Sequence, residues 1–167
     1  MKELIFAWLL SLPWTATDKA TETVEARAER MGNIAQAVAE VSRGDRQKAA
    51  FILVQFSAET DFDAAVQRCE CKRYQCDPRK LLDGSIEFRA HGLAQVHDAP
   101  AYSTAWWWSM CGTGVDATVT SARFVLTRYN PANLERSYAR LKGILVSERE
   151  PWATARAARA RALAGKL

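Results

Sequence analysis

The sequence predicts a mainly α domain of the α+β type: a helical body with a small, disulfide-stapled, β-containing lobe. Three observations lead there. Apolar residues recur at helical spacing over most of the chain. Residues 68–98 instead gather three cysteines, Asp77-Pro78, Asp83-Gly84 and Gly92, the composition of turns and staples. A chain of 167 residues, 49% of them hydrophobic, can bury one core, and no repeat or low-complexity linker divides it. We expect a single domain over residues 18–167, preceded by an apolar segment.

That segment, residues 1–17, runs from Lys2 through Leu4-Ile5-Phe6-Ala7-Trp8-Leu9-Leu10 to Pro13 and the small residues Thr15-Ala16-Thr17. This is the order of a secretory signal peptide, and it is too short to span a bilayer stably. Glu3 offsets Lys2 and no A-x-A follows, so a helix packed on the domain is the alternative. Val24, Ala28, Met31, Ala35, Val38 and Val41 predict a helix that Gly44-Asp45 ends. Ala49 to Phe56 is an almost unbroken apolar run with good helix formers, read as a buried helix. Ser85-Ile86-Glu87-Phe88 predicts a short strand. Four helices follow: Ala101 to Met110 with Cys111-Gly112 as its cap, Asp116 (as N-cap) to Tyr129, Ala132 to Lys142 before Gly143, and Pro151 to Gly165.

The cysteines are Cys69, Cys71, Cys76 and Cys111. Cys69-Glu-Cys71 followed by Cys76 is not the C-x-x-C spacing of zinc sites, and the two histidines are not spaced to complete one, so no metal is expected. Disulfides are expected instead, and with them an oxidising compartment. Four cysteines allow three pairings. We prefer Cys71 with Cys76 and Cys69 with Cys111, the latter closing a loop worth on the order of 3–4 kcal/mol in the chain-entropy model.

The formal net charge of +4 suits an anionic partner such as nucleic acid, a membrane surface or a wall polymer. The basic residues are dispersed and no nucleic-acid motif accompanies them, so nucleic acid is not an expected partner. Arg156, Arg159 and Arg161 read as a solvated helix face. Of the consecutive Trp106-Trp107-Trp108, a helix would fan the rings over about 200°, so at least one should line a cleft or an interface.

The chemistry concentrates in Ser57-Ala58-Glu59-Thr60-Asp61-Phe62, where a carboxyl arrives at the end of the buried helix. Apolar surroundings favour the protonated form of a carboxyl group, and a protonated carboxyl can donate to a glycosidic oxygen. His91-Gly92-Leu93-Ala94-Gln95 follows some thirty residues later. Together, Glu59-Thr60-Asp61-Phe62 and Gly92-Leu93-Ala94-Gln95 resemble the paired Glu-Ser-x-Phe and Gly-Leu-Met-Gln motifs of the goose-type lysozyme and soluble lytic transglycosylase superfamily, with Thr for Ser and Ala for Met. Cys76-Asp77-Pro78 resembles the loop that small lysozyme-like proteins carry between those motifs. The family's late Tyr-Asn-x-Gly motif is reduced, in Tyr138-Ala139-Arg140-Leu141-Lys142-Gly143, to the Gly and a displaced Tyr, and the Pro that follows the Gln motif stands late, at Pro100.

The resemblance, over residues 22–143, implies a lysozyme-like fold, no cofactor, and peptidoglycan as the partner. It implies a protein that cleaves the bond between N-acetylmuramic acid and N-acetylglucosamine, with Glu59 as general acid; the cysteines and the N-terminal segment add the expectation of export to the periplasm or outside, or of release to the wall if the protein is phage-encoded. Thr60, Gly92, Leu93, Gln95 and Tyr138 would hold the sugar, with Gly92 letting backbone approach it. In a lytic transglycosylase Glu59 acts alone, as acid and then base. A hydrolytic lysozyme needs a second carboxylate, for which Asp63, on Glu59's face if the helix continues, and Asp98 are the candidates, ahead of Asp61. A non-catalytic wall-binding or virion structural module is the alternative outside enzymes.

Overall fold

The computed structural model describes residues 1–71, 76–97, 103–141 and 150–167. It is mainly helical, with α1 (Lys2–Ser11), α2 (Ala16–Thr21), α3 (Val24–Ser42), α4 (Arg46–Thr60), α5 (Ala64–Gln67), α6 (Thr104–Trp108), α7 (Val115–Leu126), α8 (Leu134–Leu141) and α9 (Pro151–Ala164). Between α5 and α6 lie two antiparallel hairpins, β1 (Pro78–Lys80) with β2 (Ile86–Phe88) and β3 (Ala90–His91) with β4 (Val96–His97).

The axis of the body is α4. Every residue from Ala49 to Phe56 is buried, as a helix that is apolar all round requires. α3, α7 and α9 pack around it, α1 lies on α3, and α8 lies on α9. Asp45, expected to help end α3, instead starts α4: its Oδ1 accepts from Gln47 N at 2.9 Å and Lys48 N at 3.0 Å. Arg43, in the left-handed region, and Gly44 make the turn. Asp116 is not the N-cap of α7 either. Gly114 holds that position and Asp116 sits in the first turn, where its charge suits the helix dipole. α7 also stops at Leu126, short of Tyr129, because its last turn tightens: Arg128 N bonds Val125 O and Tyr129 N bonds Leu126 O.

The apolar N-terminus is packed. Ile5 and Leu9 are fully buried in the main core, and Trp8 meets Phe62 edge-on at 6.0 Å between ring centroids. Arg27 secures the following turn, donating to Leu12 O at 2.8 Å and lying 4.8 Å over the Trp14 ring. Leu9→Ala is therefore expected to cost about 2–5 kcal/mol. Urea unfolding checks this; a loss under 1 kcal/mol would mean that α1 is dispensable to the core.

A buried ionic hub joins α2, α3 and the turn after α4. Arg30, 2% exposed, pairs with Asp18 at 3.2 Å and Glu22 at 2.7 Å, and also donates to Phe62 O. Asp18 accepts in addition from Ala64 N at 2.9 Å. This turn corrects one expectation. The helix does not continue through Asp63, because Asp61 and Phe62 both take positive φ, at 48° and 57°. Thr60 Oγ1 accepts from Phe62 N at 3.1 Å and Phe62 is driven inward. Asp63 leaves the face of Glu59 and becomes the N-cap of α5, accepting from Val66 N at 3.1 Å.

Two disulfides hold the lobe, Cys69–Cys111 and Cys71–Cys76. They are the preferred pairing. The strand expected at residues 85–88 is β2, paired Lys80↔Ile86 and Pro78↔Phe88. Its turn is fixed by Asp83, which accepts from Ser85 N and Oγ, and by Gly84 at φ 85°.

Candidate active site

Glu59 stands one residue before the end of α4, on the side that α9 covers. Its side chain is 14% exposed. Oε1 accepts from Arg156 Nη1 at 2.7 Å and from Gln55 Nε2 at 3.2 Å. The same Arg156 nitrogen donates to Gln55 Oε1 at 3.0 Å, closing a three-membered polar ring. Gln55 is buried. The Arg156 guanidinium lies 5.0 Å from the centroid of the Trp152 ring, and Arg159 Nη2 donates to Ser57 Oγ at 3.4 Å.

Helix periodicity explains the arrangement. Gln55 and Glu59 are four apart on α4, and Trp152, Arg156 and Arg159 fall on one stripe of α9. Pro151 at the first helical position sets the start of that stripe. Of the three arginines expected on a solvated face, Arg156 turns inward to α4, while Arg159 stays exposed and reaches Ser57 Oγ with one guanidinium nitrogen. Arg161 also keeps to the surface, with Glu135 at 2.9 Å.

Gly92, Leu93, Ala94 and Gln95 form the turn between β3 and β4. Gln95, at φ 47°, folds back so that both its N and Nε2 donate to Gly92 O at 3.1 Å. Leu93 is 1% exposed and belongs to the main core. Gly92 is required here for a protein contact: at φ 60°, an added Cβ would sit 2.5 Å from Met110 O. The close approach expected with a sugar is thus used on the chain itself. Thr60 donates to Phe56 O at 2.8 Å and is largely buried. Tyr138 is fully buried, packed on Phe51 at 4.5 Å, and its hydroxyl donates to Phe51 O at 3.2 Å. It supports α4 from beneath and presents no surface to a ligand. Asp98 and Gly143 lie outside the described residues. Of the tryptophans, Trp107 is in the core, Trp106 is half-buried and Trp108 is 57% exposed, the fan that three consecutive helical positions impose.

Gln55 and Trp152 were not singled out from the sequence, and Arg156 was read there only as part of a solvated face. The signal was present in two stripes of matched polarity, but nothing in the sequence pairs one stripe with the other.

Two tyrosines near this cluster set an alkaline limit. Burial, with the Asp45 charge adding, pushes the Tyr129 phenol up from 10.0 to about 12. Burial also pushes the Tyr138 phenol up, against the opposing Arg156 and Arg159 charges. Between those values the unfolded chain has released protons that the folded chain keeps, so stability falls as pH rises from 10 through about 12. Melting temperatures across that range should drop, and less steeply in Tyr129→Phe; identical slopes would contradict this.

The chain matches no family model, no curated protein and no solved structure.

Proposed function

We propose that this protein has a lysozyme-like fold and cleaves the β-1,4 bond between N-acetylmuramic acid and N-acetylglucosamine in peptidoglycan, as a lytic transglycosylase with Glu59 as acid and base. The observation that carries the reading is Glu59 itself, a carboxyl largely withdrawn from water near the end of a helix buried from Ala49 to Ser57. The paired motif resemblance, a helical body with a stapled hairpin lobe, and an exposed Trp108 able to stack on a sugar ring support it. The disulfides are compatible with export, and no described helix is long and apolar enough to cross a membrane.

In this mechanism Glu59 protonates the glycosidic oxygen as the bond to C1 breaks. The C6 hydroxyl oxygen of the muramic acid attacks C1, and its proton returns to Glu59, leaving a 1,6-anhydro end. Arg156 stabilises the carboxylate that exists between the two transfers. No second carboxylate is needed, which agrees with Asp63 being spent as a helix cap.

The Glu59–Arg156 pair also favours a second reading. Two half-buried opposite charges that satisfy each other can be purely structural, in a wall-binding protein that does not cut. Mass spectrometry of peptidoglycan incubated with the protein separates these. Anhydro ends support the transglycosylase and reducing muramic acid ends a lysozyme. Bound but uncut glycan supports the second reading.

A further inference from the structure

We infer that reduction of Cys69–Cys111 converts this corner of the molecule into a three-ligand site for a thiophilic divalent ion of the zinc type, formed by Cys69, Cys111 and His91. One donor atom from each of the three lies within 4.8 Å of the others, and His91 Nδ1 is 3.9 Å from Cys111 Sγ. Tetrahedral zinc with Zn–S bonds near 2.3 Å and Zn–N bonds near 2.0–2.1 Å needs donors about 3.5–3.8 Å apart. Small side-chain rotations reach that once the sulfurs are no longer bonded.

The corner is built to persist without its disulfide. Gly112 N donates to Gln67 O at 2.9 Å, which ties the segment after Cys111 to α5. Cys69 N bonds Val66 O and Cys111 N bonds Trp108 O, each at 3.0 Å. Gly92 presses its backbone against Met110 O, where no side chain fits. These contacts keep the two sulfurs and the imidazole facing one another. The surroundings also suit a metal thiolate. Gly92 N donates to Cys69 Sγ at 3.3 Å, the kind of outer hydrogen bond that tunes a ligating sulfur. His91 is buried with its ring 5.7 Å from both Trp107 and Trp108, which fixes its orientation. Both cysteines are partly exposed, leaving an entry path and a fourth position for water.

The chemistry balances. A phosphine reductant supplies two electrons and takes up the oxygen of a water molecule to become the phosphine oxide, the sulfur–sulfur bond breaks, and the two protons of that water give two thiols. Metal binding then forms two metal–sulfur bonds and one metal–nitrogen bond and returns those two protons to solvent. The 42-residue separation between Cys69 and Cys111 is closed in either redox state, by the disulfide or by the ion.

The test uses the full chain carrying Cys71→Ser and Cys76→Ser, reduced with a phosphine and handled without oxygen. Cobalt(II) titration should give one ion per chain with the absorption of tetrahedral thiolate coordination, and zinc should displace it. Adding His91→Ala should weaken binding by more than about 100-fold, beyond the 10–100-fold that loss of an outer partner alone costs. The oxidised protein should bind none here. If the reduced chain unfolds, zinc should restore its far-ultraviolet circular dichroism. Absence of stoichiometric binding, binding indifferent to His91→Ala, or an unfolded reduced chain that zinc does not refold would each overturn the assignment.

Discussion

Glu59→Gln should lower peptidoglycan cleavage by at least about 10²–10⁴-fold, the usual contribution of one acid–base group. The upper end is expected, because in a single-carboxylate mechanism the substitution removes acid and base together. The change is nearly isosteric. The amide oxygen can still accept from Arg156, which also keeps its 3.0 Å bond to Gln55 Oε1. A folded, inactive variant is therefore the expected product, and circular dichroism alongside release of soluble muropeptides checks both halves. Asp61→Asn and Asp98→Asn should cost far less. Asp63→Asn should do so too, since Asn is an equally good N-cap. Retention of full activity by Glu59→Gln would remove the proposed mechanism, whereas one Asp variant as inactive as Glu59→Gln would establish a two-carboxylate lysozyme.

Arg30→Ala should destabilise the protein by about 3–5 kcal/mol. Asp18 and Glu22 would be left nearly out of reach of water without their paired charge, at 1% and 7% exposure and with only the field of Arg27 remaining, and Phe62 O would lose its donor. Replacing the triad together, Arg30→Met with Asp18→Asn and Glu22→Gln, should recover much of the loss, because it removes the buried charges with their partner and leaves an oxygen at position 18 for Ala64 N. Urea midpoints at neutral pH measure both. A cost below 1 kcal/mol for the single variant would show that water enters the hub. The hub also holds the turn that ends α4 and so sets where Glu59 stands.

Much of this architecture was legible in the sequence, for identifiable reasons. α3, α4 and α9 declare themselves by apolar spacing, Pro151 and the Gly44 turn. The presence of staples was legible in the even, crowded cysteines, but their connectivity was a preference, since each of the three could have partnered Cys111. The condition that would put Asp63 on the face of Glu59, a helix continuing past Thr60, is not met: Asp61 and Phe62 are left-handed, and Phe62 O is held by Arg30, thirty-two residues upstream. Local propensity carries no record of such a contact. Signal-like residues 1–17 proved able to pack, since an apolar helix suits a core as well as a translocation channel. At the site, Glu59 stood out by its place on a buried helix. Arg156 did not, because ion pairing between distant helices has no periodicity to read. Gly92 and Tyr138 were recognisable as special positions, but the sequence could not say that their partners are Met110 and Phe51 and not a sugar.

The link between Cys69 and Cys111 has a covalent consequence of its own. It makes the polypeptide a ring with two tails, and the hairpin tip at Leu81–Asp83, with Leu82 wholly exposed, lies on the ring. A peptide bond cut at that tip opens the ring but releases nothing. Both fragments stay on one molecule of unchanged mass but for a water, and separate only when thiols are added. A chain so closed can be nicked at the exposed hairpin tip and remain whole.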